Sequence, residues 1–232
     1  MIKGLKVTDI ENTFAISDLH FNHDKPWVVN ARGCSDVGEH DSMIVNTWNN
    51  VCNDNSTVFH LGDFAIRDPD GSISLRLLKQ LKYSKLYMLW GNHNSGLNAL
   101  YKQTLKPFIS SLKRDTNSGP DEMEIYPLSM EISPGKQIVF LGDYVTLRVK
   151  YAPEHKSAEA VLCHYAMRNW LHNGKGAWML CGHSHGNDPH IHYKTAEGRC
   201  LDVGWDSLGR PISFKDIAFW MSRQNIIAND HH

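Results

Sequence analysis

The chain of 232 residues predicts an α/β fold, and three observations carry that expectation. Short apolar runs rich in β-branched residues recur between turn signals, stretches with helical spacing separate the early runs, and a small polar cluster closes several of them.

Taken in order, TFAIS at 13–17 reads as a buried strand, and the stripe Met43, Ile44, Thr47, Trp48 and Val51 as one face of a helix. TVFHL at 57–61 is a second strand, Ile73, Leu75, Leu77, Leu78 and Leu81 mark a second helix, and KLYMLW at 85–90 is a third strand. The first half thus alternates strand and helix. The second half is richer in strands: QIVFLG at 137–142, Val145–Lys150, AVLCH at 160–164, AWMLCG at 177–182 and CLDVG at 200–204. Near the end, Ser213 and Asp216 form an S-x-x-D cap after Pro211 and before the apolar run Ile217–Trp220, which predicts a last helix. Trp48, Trp170 and Trp220 fall in predicted helices and are read as core. Arg114–Asp121, with Asn117-Ser118-Gly119-Pro120, is the clearest loop signal. A boundary there would divide the polar clusters, so residues 1–232 are read as one domain.

Composition narrows the class. The chain is 41% hydrophobic and 21% charged, as folded globular proteins are. A formal net charge of −1 gives no broad positive field, so extended nucleic-acid binding is not expected. No run resembles a secretory signal or a membrane span, so a cytoplasmic location is expected, in a bacterium or in a phage host. Five cysteines at wide spacings suggest reduced thiols, whereas 14 histidines are many for this length.

The clusters at strand ends are Ser17-Asp18-Leu19-His20, Gly62-Asp63, Gly91-Asn92-His93, His164 and Gly182-His183-Ser184-His185-Gly186. Ligands of α/β proteins bind beyond the carboxyl ends of strands, where a glycine lets the backbone come close. Asp18, His20, Asp63, Asn92, His164, His183 and His185 offer carboxylate, imidazole and amide donors with no thiolate, a set suited to Mn, Fe, Zn or Ni. Seven ligands exceed what one ion needs. Two ions roughly 3.5–4 Å apart are a recurrent arrangement for displacement at phosphorus. Two divalent ions, two carboxylates and one hydroxide leave a net charge of about +1, which attracts an anionic phosphate.

In order, these residues resemble the calcineurin-like metallophosphoesterase superfamily, whose pattern D-x-H, G-D, G-N-H, H and G-H-x-H is complete here between Asp18 and His185. The flanking context, including Ile16 to His23, His164-Tyr165 and Val203-Gly204-Trp205-Asp206, is similar to that of small single-domain bacterial and phage members. The resemblance implies a four-layer αββα sandwich, two mixed β-sheets flanked by helices. It implies that Asp18, His20 and His185 hold one divalent ion, that Asn92, His164 and His183 hold the other, and that Asp63 bridges them. Manganese is the first expectation among Mn, Fe, Zn and Ni. His93 is then the catalytic group beside the leaving oxygen, and the nucleophile a hydroxide bridging the ions. The implied activity is hydrolysis of phosphomonoesters or small phosphodiesters of the nucleotide or cyclic-nucleotide type. A nuclease, a phosphoprotein phosphatase and a non-catalytic metal-binding interaction module are the alternatives. The short stretch between Asn94 and Leu162 suggests an open cleft and a small phosphate-ester substrate, with no membrane partner.

Several residues have competing readings. Leu141-Gly142-Asp143 repeats Leu61-Gly62-Asp63, but its place in the order makes Asp143 a hairpin turn. His23 and Arg32 follow the first motif and are candidates for substrate phosphate, against outer-partner and surface roles respectively. His60, His40, His155, His190 and His192 are read as satisfied buried histidines, His172 as exposed, and Asp202 and Asp206 as turn groups or partners of the ligands.

Overall fold

The computed structural model describes residues 2–112, 125–152, 157–196 and 198–227. Among the described residues eleven strands and six α-helices, besides a 3-10 turn at Asn173–Lys175, follow in the order β1 (Ile2–Val7), β2 (Thr13–Ile16), α1 (Pro26–Ala31), α2 (Val37–Val51), β3 (Thr57–His60), α3 (Ser72–Gln80), β4 (Lys85–Leu89), α4 (Ser95–Leu112), β5 (Leu128–Ser133), β6 (Lys136–Gly142), β7 (Tyr144–Lys150), β8 (Ser157–Cys163), β9 (Trp178–Cys181), β10 (Cys200–Asp202), α5 (Trp205–Leu208), β11 (Ile212–Ser213) and α6 (Phe214–Met221). Every predicted strand is present, and so is every predicted helix except the one expected around Trp170. The loop predicted at Arg114–Asp121 and His155 lie outside the described residues.

Two mixed sheets form, as the α/β expectation requires. One runs β1-β7-β8-β9-β10 and the other β11-β2-β3-β4-β6-β5. In the second sheet β2, β3, β4 and β6 are parallel, so their carboxyl ends lie at one edge, while β11 and β5 close the sides antiparallel. Alternation along the strands sorts the side chains. Ala15, Phe59, Leu61, Leu89, Val139 and Leu141 face the first sheet and pack on Val145, Leu147, Leu162, Trp178 and Leu180. Ile16, Val58, Leu86, Met88, Ile138 and Phe140 face the other way, onto Ile44 and Trp48 of α2, Leu77 and Leu78 of α3, and Leu97 and Leu100 of α4. On its outer side the first sheet packs Val161, Cys163, Met179, Cys181 and Cys200 against Ile191, Met167 and Trp170 of the 164–199 segment. The outer helical layer of this sheet is therefore replaced, over β8 to β10, by loop.

Three expectations change. Asp143 is no hairpin turn: it joins β6 of one sheet to β7 of the other. Trp170 lies in loop, where its indole N–H donates to Ala177 O at 3.0 Å. His190 is exposed, and His192 is only partly buried. Among the described residues no helix is long and apolar enough to cross a membrane.

Candidate metal centre

The loops that leave β2, β3, β4, β8 and β9 meet at one end of the two sheets. Ser17 N donates to Val203 O at 3.2 Å and so ties the end of β2 to β10. On its other side Asp18 N donates to Gly62 O at 3.1 Å and His20 N to Asp63 O at 3.0 Å. These bonds hold unusual backbone. Asp18, His20, Asp63, His183 and His185, five of the seven predicted ligands, have φ between +50° and +68°. Such a conformation costs an L-residue about 1–3 kcal/mol and persists where surrounding bonds over-determine it, most often at functional sites. Two glycines make room: a Cβ at Gly91 would lie 2.2 Å from Asp63 Oδ1, and one at Gly182 would lie 2.3 Å from Asp18 Oδ2. The sequence pattern thus has a steric cause.

All seven predicted ligands come together. Asp18, His20, Asp63 and His164 form a buried floor, whereas Asn92, His93 and His183 form an exposed rim. Asp18, His20 and His185 present ligand atoms within 4.8 Å of one another, and so do Asp18, Asp63 and His164. Asp63 Oδ2 lies 3.5 Å from His20 Nε2 and 3.7 Å from His164 Nε2, and Asp18 is common to the two groups. Its other oxygen accepts the His93 N–H at 2.7 Å. Asn92 Oδ1 is 3.0 Å from His164 Nε2. The His183 ring stands edge-on to His164 at 5.1 Å, and the backbone N–H of His183 donates to Asp18 Oδ2 at 2.9 Å.

Hydrogen bonding tests whether cations fit. A carbonyl only accepts, so the 3.0 Å contact with Leu61 O places the His164 proton on Nδ1. His164 Nε2 is then bare and faces another acceptor, Asn92 Oδ1. The carboxylate of Asp206 fixes His185 in the same tautomer, 2.6 Å from its Nδ1, and raises its pKa. Asp18 Oδ1 and both ring nitrogens of His20 are buried without a hydrogen-bond partner. An orphaned polar group in such a place costs about 1–3 kcal/mol, and buried acceptors converging there are what a divalent ion satisfies. The residues fit the ions. Burial would push the Asp18 carboxyl up, but the neighbouring His20 imidazole, the field of His164 and the bond from the His183 backbone N–H hold it at about 2.

Other residues sort as follows. Arg32 is not free for a substrate phosphate: its side chain is 4% exposed and all its N–H groups are engaged. Nε and one terminal nitrogen grip Asp206 at 2.8 Å each, and the rest reach Asp18 O, Leu19 O and His40 Nε2. Sequence reasoning missed this because the partner, Asp206, lies 174 positions away. The His23 ring lies 5.8 Å from that of His20. Burial, then His20, Arg32 and Arg67, lower its pKa to about 4, so it is neutral near pH 7. His60 is fully buried, and its Nδ1 accepts the Gly62 N–H at 3.2 Å while Nε2 has no partner; it is thus only half satisfied. His40 is buried and bonded on both nitrogens, as expected. His172 is exposed and pairs with Glu159. Asp202 accepts from Gly204 N, Gly186 N and the Ser184 hydroxyl, a turn role.

Two mixed sheets with clustered carboxylates and imidazoles at converging strand ends define a metal-dependent phosphoesterase in the general sense. The chain belongs to the calcineurin-like phosphoesterase family, which it matches over residues 12–187, a span that encloses every predicted ligand. Over 210 residues it is 23% identical to the gene 66 protein of Mycobacterium phage L5, covering 90% of this chain and 93% of that one. It is 32% identical over 81 residues to the uncharacterized protein MJ1445 of Methanocaldococcus jannaschii; that match takes in 35% of this chain and 46% of the other. The crystal structure of AQ665 from Aquifex aeolicus, a protein of unknown function, shares the fold with a TM-score of 0.53 at 18% identity, covering 89% of this chain and 97% of that one.

Proposed function

We propose that this protein is a two-ion phosphoesterase acting on phosphomonoesters or small phosphodiesters of the nucleotide or cyclic-nucleotide type. The observation that carries the reading is the convergence of Asp18, His20, Asp63 and His164 on one buried floor, where Asp18 Oδ1 and both His20 ring nitrogens lack a hydrogen-bond partner. Asp18, His20 and His185 hold one ion and Asn92, His164 and His183 the other, with Asp63 shared. Two divalent ions, manganese as the first choice, supply Lewis acidity towards a phosphoryl group and towards water.

The chain's own residues do the rest. The buried floor keeps solvent from the carboxylates, and the exposed rim leaves room for a small ester. Bonding of its N–H to Asp63 pins His93, whose ring lies 5.7 Å from that of His20. From there its imidazole donates a proton to the leaving-group oxygen. His23, neutral and next to His20, offers a hydrogen bond to a phosphate oxygen. Metal analysis of the purified protein, with mono- and diesterase assays across added Mn, Ni, Zn and Mg, tests the reading. Bound divalent metal with metal-stimulated turnover of a small ester supports it, and metal-loaded protein inert towards every aryl mono- and diester overturns it.

A further inference from the structure

We infer that Arg32 and Asp206 form a positioning pair that sets the affinity of one of the two ion positions, that of Asp18, His20 and His185, and leaves the other to different supports. The inference rests on the metal-centre reading above and goes beyond it by dividing the support between the ions.

Three strands of geometry lead there. Arg32 spends all five N–H donors inside the protein. Nε meets Asp206 Oδ1 at 2.8 Å. One terminal nitrogen meets Leu19 O at 2.7 Å and His40 Nε2 at 2.9 Å, and the other meets Asp18 O at 2.9 Å and Asp206 Oδ2 at 2.8 Å. A guanidinium is planar and rigid, so this fork fixes two successive carbonyls of the Asp18–His20 loop relative to Asp206. The Trp205 N–H holds the preceding carbonyl, Ser17 O, at 2.9 Å. With φ of +57° at Asp18 and +50° at His20, that loop needs such a hold.

Asp206 then passes the constraint on. Its Oδ2, already bonded to Arg32, takes the His185 Nδ1–H at 2.6 Å and leaves Nε2 bare. The same two side chains therefore set the orientation of all three groups of one ion position. Behind them His40 accepts from Arg32 and donates through Nδ1 to Asp41 Oδ1 at 3.0 Å, and Asp41 receives the Asn22 N–H at 3.1 Å, so the far end of the loop is tied as well.

The second position is built differently. The Leu61 carbonyl orients His164, Asn92 follows β4, and the backbone N–H of His183, not its ring, bonds Asp18; among the described residues no hydrogen bond links Arg32 or Asp206 to His164, Asn92 or the His183 ring. Changing the pair should thus split the two affinities. Removing the outer partner of a ligating histidine costs roughly 10–100-fold in metal affinity.

The test is calorimetric titration of metal-free wild type, Asp206→Asn and Arg32→Lys with Mn(II), with melting in chelator to show that each variant is folded. Wild type is expected to bind two ions, and each variant to keep one at wild-type affinity while the other weakens roughly 10–100-fold. Unchanged affinities, or equal weakening of both, would overturn the inference. Wild type that binds no Mn would overturn the underlying metal reading instead. One measurement needs no variant: long-range proton–nitrogen NMR of metal-free wild type should show the neutral His185 proton on Nδ1, and a proton on Nε2 would also sink the proposal.

Discussion

At the scale of single residues, Asn92 and His93, which follow Gly91, show how differently adjacent letters behave. Asn92 and His93 are both exposed, but Asn92 turns its oxygen to His164, while His93 is tied to the site through its backbone. His93→Ala should accordingly keep both ions and lose about 10²–10⁴-fold in kcat, read by steady-state kinetics beside a metal titration; loss of an ion would make it a ligand. His60 gives a pH prediction. Burial lowers its pKa from 6.5 to about 3, with the nearby Asp18 charge opposing. The unfolded chain then binds the extra proton first, so this residue's contribution is full above pH 6.5, is lost as pH falls from about 6.5 to 3, and is flat below. Chemical denaturation of metal-free protein across that range should show a shallower loss for His60→Gln than for wild type; an unchanged slope would mean that His60 titrates alike in the folded and unfolded chain. The ligands were legible as letters because motif order and flanking glycines survive in one dimension. Arg32 was not: its exposure and partners depend on an acid at the other end of the chain.

At the scale of elements, the parallel strands were readable because burial on both faces gives them continuous apolar runs. Two of the edge strands, β1 and β5, were not. β1 reads IKGLKV and β5 LSMEIS, with charge and glycine where a covered strand has apolar residues, and each has a partner on one side only. Helix α4 carries a regular stripe, Leu97, Leu100, Tyr101 and Leu105, that the sequence reading passed over; Gly96 and Pro107 interrupt the usual helix composition. Asp143 was misplaced because Gly-Asp between two apolar runs signals a hairpin, while here the chain changes sheets. The final cap held: Ser213 Oγ accepts the Asp216 N–H at 3.0 Å. Helix α2 is the element on which the helical layer most clearly depends, since Trp48 is fully buried and its indole N–H donates to Lys82 O at 2.9 Å. Trp48→Ala should destabilise the protein by about 3–5 kcal/mol in denaturant unfolding; a loss below about 1 kcal/mol would show that α2 repacks without it.

Across the whole molecule, the α/β expectation and the two mixed sheets agree with the structure, and the site lies where the carboxyl ends of strands from both sheets meet. Neither sheet alone could form it: Asp18, Asp63 and Asn92 follow strands of one, and His164, His183 and His185 follow strands of the other. On the proposed reading ion binding is a cross-sheet bond, so that anything that loosens the packing of Leu61, Leu89 and Leu141 on Leu162 and Leu180 would loosen the centre too. The most direct test of the two-ion reading is the rate of aryl phosphoester hydrolysis by metal-free protein as Mn(II) is added by the equivalent. The account predicts a rate that climbs and breaks at two equivalents per chain; a break at one equivalent, or no turnover at any loading, would contradict it.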